Sequence, residues 1–153
     1  MKKRGKVKKR IVKKKIPKGK RILAKAIFIK KTGQGYLFCF EKRKAKETNY
    51  AGFWSFPQGH KEKGEKIENT LVREMQEELN IKVTSFRRLG VFHDKDPTSK
   101  KHYEQHVFLC LEWAGEIKET QEQEMLAWLS LSDTKSLNLP DVDKRIILKL
   151  IEN

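Results

Sequence analysis

Residues 59–81 read GHKEKGEKIENTLVREMQEELNI, and their spacing decides how the chain folds. From residue 65 to 79 the pattern is helical: Ile67, Leu71, Met75 and Leu79 recur every four residues as a drifting apolar stripe that faces a core. The other side of this helix is acidic. Glu74, Glu77 and Glu78 fall three and four residues apart, so their carboxylates share one side within a turn. Like charges at that spacing destabilise a helix by a few tenths of a kcal/mol per pair, and a position near the C-terminal end adds an unfavourable macrodipole contribution. A solvated acidic face is the plain reading. A hard divalent cation is the functional one, because Mg2+ or Mn2+ prefers carboxylate oxygens and bridges them to phosphates. Arg73 can neutralise part of the charge through a bidentate bond to Glu65 at the helix start. Asn80 stands where a C-cap in the left-handed conformation is expected.

Outward from this helix, short β-prone runs and helices alternate. Residues 21–31 (RILAKAIFIKK) and 36–40 (YLFCF) read as a hairpin across residues 32–35, TGQG. Residues 52–56 form a further run, which the sequence Pro57-Gln58-Gly59 is expected to break into a loop. Residues 81–92, 103–113 and 128–131 read as strands and residues 142–151 as a closing helix. The pattern predicts an α/β fold: a mixed β-sheet flanked by helices.

The chain has 153 residues, a mean hydropathy of −0.74, 37% hydrophobic and 36% charged residues, enough for one packed domain. No run approaches the roughly 18–20 apolar residues of a membrane span, and an apolar secretory signal is missing at the N-terminus, so a cytoplasmic protein without membrane contact is expected. Cys39 and Cys110 lie in apolar runs and read as reduced core residues. The net charge of +15 is concentrated: residues 1–21 hold 13 Lys or Arg and no acid, leaving 22 basic and 20 acidic residues in 22–153. Residues 1–20 are therefore expected to form a disordered basic arm and residues 21–153 the domain. Such an arm either solubilises the chain or tethers it to RNA or DNA through phosphates, with steep salt dependence.

The spacing of Gly59, Glu65, Arg73, Glu74, Met75, Glu77, Glu78 and Ile81 resembles the Nudix box, G-x5-E-x7-R-E-U-x-E-E-x-G-U with U aliphatic. Asn80 replaces the final Gly. Around the box, residues 53–57 (FWSFP), Trp113-Ala114-Gly115-Glu116, Trp128 and residues 139–143 (LPDVD) are similar to the MutT-type nucleoside triphosphate pyrophosphohydrolases. The resemblance implies an α/β/α sandwich and metal-dependent hydrolysis of a nucleoside diphosphate linked to another moiety. It implies a (d)NTP such as 8-oxo-dGTP as substrate, with a nucleoside monophosphate and pyrophosphate as products.

Carried over by position, Glu77 and Glu78 would be ligands of Mg2+ or Mn2+, Glu74 a further ligand or the base, and the Gln58 carbonyl a backbone ligand. Glu65 and Arg73 would join loop to helix. A distal Glu is common in the family; Glu122 is the choice here and Glu124 the alternative. Arg43 or Lys44 matches a position where a basic side chain meets phosphate; Gly59 and His60, in the metal loop and next to it, are further substrate candidates, His60 as a phosphate contact or else a hydrogen-bonded surface residue. Asp143 matches a residue near the purine edge, or is a helix N-cap or first-turn acid. Tyr50, Phe53 and Trp54 can stack on a base or enter the core. His102 and His106 share a strand face without a third ligand for zinc. Pro57-Gln58-Gly59-His60 also looks like enzymes of dinucleoside polyphosphates or RNA 5′ ends. A non-catalytic reading is a Nudix-fold module that binds nucleotide or nucleic acid.

Overall fold

The computed structural model describes residues 20–43, 52–97, 99–118 and 125–152. The basic arm up to residue 19, together with Lys44, Tyr50, Glu122 and Glu124, lies outside the described residues. Among the described residues, seven strands form one mixed sheet built around β1 (Lys20–Thr32). The others are β2 (Gly35–Lys42), β3 (Trp54–Ser55), β4 (Gln58–His60), β5 (Lys82–Lys95), β6 (His102–Ala114) and β7 (Met125–Leu129). Helix α1 covers Ile67–Leu79, and α2 covers Asp141–Glu152 after a short 3-10 turn at Asp133–Ser136.

One edge of β1 runs parallel to β6, from Lys20 opposite His102 to Phe28 opposite Cys110. Its other edge is shared: Leu23–Lys25 pair antiparallel with β4, and Ile29–Thr32 pair with β2. The path is β3-β2-β1-β6-β5, with β4 added to β1 and β7 to β2. Because β1 is covered on both faces, it reads as a nearly continuous apolar run, and its alternate residues enter different cores. Ala24, Ala26 and Phe28 face α1, where they meet Leu71, Met75, Leu79, Phe108 and Cys110. Ile27 faces α2 and meets Phe40, Phe56, Val107, Val142 and Ile146. Small residues at 24 and 26 let α1 approach the sheet closely. Each large apolar side chain fully buried in these layers contributes about 1.5–3 kcal/mol relative to exposure. The result is the expected α/β/α arrangement, one helix on each face.

Three boundaries differ from expectation. Pro57-Gln58-Gly59 does not end the strand pattern: Gln58–His60 are themselves a strand, and the Ala26 N–H donates to the Pro57 carbonyl at 2.8 Å. Pairing with β1 overrides the local tendency of Pro and Gly to break strands. The last strand ends at Leu129, because Ser130 turns away, its N–H bonded to Asp133 Oδ2 at 3.1 Å. Helix α1 starts at Ile67, and Lys66 at its N-cap position offers no side-chain cap. At the other end Asn80 adopts φ 57° and ψ 42°, the left-handed cap, with its N–H bonded to the Gln76 carbonyl at 3.1 Å. Asparagine therefore meets the backbone demand of the box's final glycine. Cys39 and Cys110 are free and buried, and burial pushes both thiols up to about 12. Among the described residues no helix is long and apolar enough to cross a membrane.

Candidate active site

Arg73 organises the acidic side of α1. Its Nε donates to Glu65 Oε2 at 2.7 Å and its Nη2 to Glu65 Oε1 at 3.0 Å, the bidentate bond expected from the spacing. Nη2 also donates to the His60 carbonyl at 2.9 Å, so one guanidinium ties α1 to the end of β4. Nη1 donates to Glu74 Oε2 at 2.7 Å and reaches Glu77 at 3.3 Å. Glu65 accepts two further bonds, from the Glu62 N–H at 3.0 Å and from Thr70 Oγ1 at 2.7 Å. Partial burial alone would raise the Glu65 pKa; the Arg73, Glu62 and Thr70 donors outweigh it and hold the carboxyl at about 2. Arg73 is likewise kept charged: burial opposes the charge, and the Glu65 and Glu74 carboxylates more than offset it.

Gly59 is the other half of this junction. A Cβ built there would overlap the Glu74 carboxylate, so only glycine lets that side chain lie against β4. Gly59 pairs with Ala24 in β1, which places Gln58 and His60 on the opposite face of the sheet from Glu74. Glu74 is 9% exposed, whereas the Glu77 side chain is 57% exposed and Glu78 is intermediate.

The repulsion among the glutamates is offset in part by Arg73, as the sequence allowed, and among the described residues no three His, Cys, Asp or Glu side chains converge closely enough to cage a metal. The donor chemistry still fits a hard cation. Mg2+ characteristically takes one or two carboxylates, keeps several waters and shares substrate phosphates, so it needs no complete protein cage. Glu77 and Glu78 on the outer side of the turn, and Glu74 seated in the Gly59 cradle, supply oxygens of that kind.

On the opposite face the sequence reading missed a buried ion pair. Lys25, a charge in the middle of an apolar strand, is 1% exposed and donates to Asp143 Oδ1 at 2.6 Å. Asp143 is 0% exposed, and its Oδ2 accepts the Phe56 N–H at 2.9 Å. It lies in the first turn of α2 rather than at the N-cap; each oxygen has a partner within the protein, and the residue also lines a small recess. The only hint in the sequence was the inward register of Lys25 within residues 22–28, ILAKAIF. Phe56 is fixed further by stacking on Phe40, with ring centres 4.5 Å apart. Arg43, Gln58 and His60 line a small recess beside this pair.

The recess shares Tyr103 and Pro140 with a cavity of about 850 Å³ that Phe53, His93, His102, Lys95 and Arg145 also line. Its size is within the range of small-molecule sites. His106, by contrast, belongs to a surface network: Arg88 donates to its Nδ1 at 2.7 Å, which leaves Nε2 to donate to Glu104 at 2.8 Å.

The comparisons with known proteins agree with this architecture. The NUDIX domain model matches residues 20–150. An 8-oxo-dGTP diphosphatase of Escherichia coli (strain K12) is 32% identical over 113 residues, covering 72% of this chain and 84% of that protein. One from Proteus vulgaris is 39% identical over 74 residues, covering 48% of this chain; the match spans only 63% of that relative. The crystal structure of a MutT NUDIX hydrolase from Burkholderia pseudomallei superposes with a TM-score of 0.75 at 24% identity, covering 86% of this chain and 98% of that one, a likeness of fold. With a complete glutamate-arginine box on a strand-helix junction and a family match spanning almost all of the domain, this chain belongs to the Nudix family.

Proposed function

We propose that the chain is a metal-dependent nucleotide pyrophosphohydrolase of the cytoplasm, cleaving a (d)NTP to a nucleoside monophosphate and pyrophosphate. An oxidised purine nucleotide of the 8-oxo-dGTP kind is the proposed substrate, and Mg2+ or Mn2+ the ion. The observation that carries this reading is the Arg73 clamp, which holds the acidic turn of α1 against β4. From β4, Gln58 and His60 lead through the recess to the 850 Å³ cavity. The names of the E. coli and P. vulgaris relatives support the substrate.

Glu77, Glu78 and the Gln58 carbonyl would hold the ion, with Glu74 as a further ligand or proton acceptor. When bound, the ion neutralises the diphosphate and activates water for attack on phosphorus. The remaining work belongs to the chain. Arg73 and Glu65 keep Glu74 in place; Arg43 and His60 meet phosphate; Phe53 and Tyr103 offer aromatic surface to the base. Lys44, with Glu122 or Glu124 as a distal acid, completes the proposed set.

The test is a panel assay with each ion, scoring pyrophosphate and monophosphate release from 8-oxo-dGTP, unmodified dNTPs, a dinucleoside polyphosphate and 5′-triphosphorylated RNA. Fastest release from 8-oxo-dGTP is expected; no cleavage of any phosphoanhydride would overturn the reading. The 13 basic residues within 1–21 favour RNA 5′ ends as the second reading. Removing residues 1–20 separates the two: RNA turnover and its salt dependence fall, whereas turnover of free nucleotides is unchanged.

A further inference from the structure

Two buried side chains outside the roles assigned above carry oxygens with no partner in the protein. Ser55 is 1% and Gln105 3% exposed, and Ser55 Oγ and Gln105 Oε1 are buried with no hydrogen-bond partner. Both line the small recess, beside Lys25, Gln58, Tyr103 and Asp143. Isolated buried oxygens are destabilising, and folded proteins keep few of them. The adjacent charges are already engaged, Lys25 with Asp143 and Asp143 with the Phe56 N–H. The recess has a volume of about 20 Å³, room for one group the size of a water molecule. Its shared walls, Tyr103 and Pro140, put it next to the cavity assigned to the nucleoside.

The geometry points to Ser55 and Gln105 as specificity-determining residues that receive one N–H group from the polar edge of the bound base. This rests on the nucleotide reading above. Gln105 Oε1 only accepts hydrogen bonds, and Ser55 Oγ accepts as readily as it donates, so the complementary group is a donor: a ring N–H or an exocyclic amine. A base that brings a carbonyl oxygen or a C–H to this point leaves both acceptors buried and unpaired, and it is discriminated against in the transition state as well as in binding. Position matters as much as chemistry. Ser55 precedes Phe56, whose N–H is fixed by Asp143, and Gln105 sits on β6 directly opposite Leu23, so the backbone that carries each oxygen is held in the sheet.

The experiment compares kcat/KM within nucleotide pairs: GTP with ITP and ATP with purine riboside triphosphate, each differing in one exocyclic amine, and 8-oxo-dGTP with dGTP, which differ in the N7–H together with the C8 carbonyl. In the wild type the member carrying the N–H is preferred by about tenfold or more in at least one pair, equivalent to about 1.4 kcal/mol. Gln105→Leu is expected to bring that ratio close to one while leaving the melting temperature equal or higher, since it deletes an isolated oxygen. Ser55→Ala, which adds no volume, is expected to lower the same ratio and carries the test where Gln105→Leu fails to fold. Ratios unchanged in the variants that fold, or equal losses for both members of every pair, mean that the recess holds only water and overturn the inference. The wild-type panel separates the two levels: absence of all nucleotide cleavage overturns the nucleotide reading, whereas cleavage with an unaltered ratio overturns only the role of Ser55 and Gln105.

Discussion

Replacing Gly59 with alanine adds one methyl group where α1 meets β4 through a carboxylate. The new Cβ overlaps Oε1, Cδ and Cγ of Glu74. Gly59 is not among the described residues with positive φ, so backbone strain does not enter. Restricting the unfolded chain would by itself stabilise the protein by about 0.4–1 kcal/mol. Overpacking works against this with about 1–3 kcal/mol, nearer the lower figure here because the obstructing atoms end a flexible side chain. The net change in stability is therefore small, on the order of 1 kcal/mol, or a few degrees in Tm. Activity is the sensitive readout. To make room, Glu74 must leave its seat and loosen the 2.7 Å bond to Arg73, and a displacement of about 1 Å in such a group lowers the rate by about 10²-fold. The assay is kcat/KM at saturating Mg2+, with thermal melts as the control for folding. The double variant Gly59→Ala, Glu74→Ala should be no slower than Glu74→Ala alone, because the methyl then has nothing to displace. Wild-type kcat/KM in Gly59→Ala, or losses that multiply in the double variant, would refute the reasoning.

Acid should unfasten the clamp late. With Glu65 lowered from 4.5 to about 2, its contribution to stability is fully present above pH 4.5 and is lost as the pH falls from there towards 2. The shift corresponds to at most about 3 kcal/mol, and acid unfolding of Glu65→Gln should lack that segment of the pH dependence. Lys25→Met leaves the Asp143 carboxylate buried with only the Phe56 N–H, so a loss of about 3–5 kcal/mol is expected in urea unfolding; a loss below about 1 kcal/mol would contradict the pair's burial.

Most of the site was legible because it depends on local periodicity. The four-residue recurrence of Ile67, Leu71, Met75 and Leu79 gives α1, and the Arg73 side chain reaches back from the helix to Glu65 in the loop just before it. Asn80 was recognisable as a cap because few residues tolerate its φ of 57°. What escaped depends on contacts between distant segments. Gln58–His60 carry breaker residues on both sides of Gln58 and become a strand only because Leu23–Lys25 are there to pair with them. Asp143 finds Lys25 118 positions away, and nothing in the spacing of residues 139–143 shows that one of its oxygens pairs with a buried lysine. The same holds for Ser55 and Gln105, ordinary polar residues in sequence and isolated oxygens in the fold.

The central claim is that the acidic turn of α1 holds a divalent ion against a diphosphate. It is tested most directly by Mn2+ titration, followed by electron paramagnetic resonance, of wild type, Glu77→Gln and Glu78→Gln, each with a non-hydrolysable nucleotide. Both variants are predicted to lose Mn2+ affinity and to turn over hundreds of times more slowly, with unchanged melting temperatures. Wild-type Mn2+ binding and turnover in both variants would contradict the account.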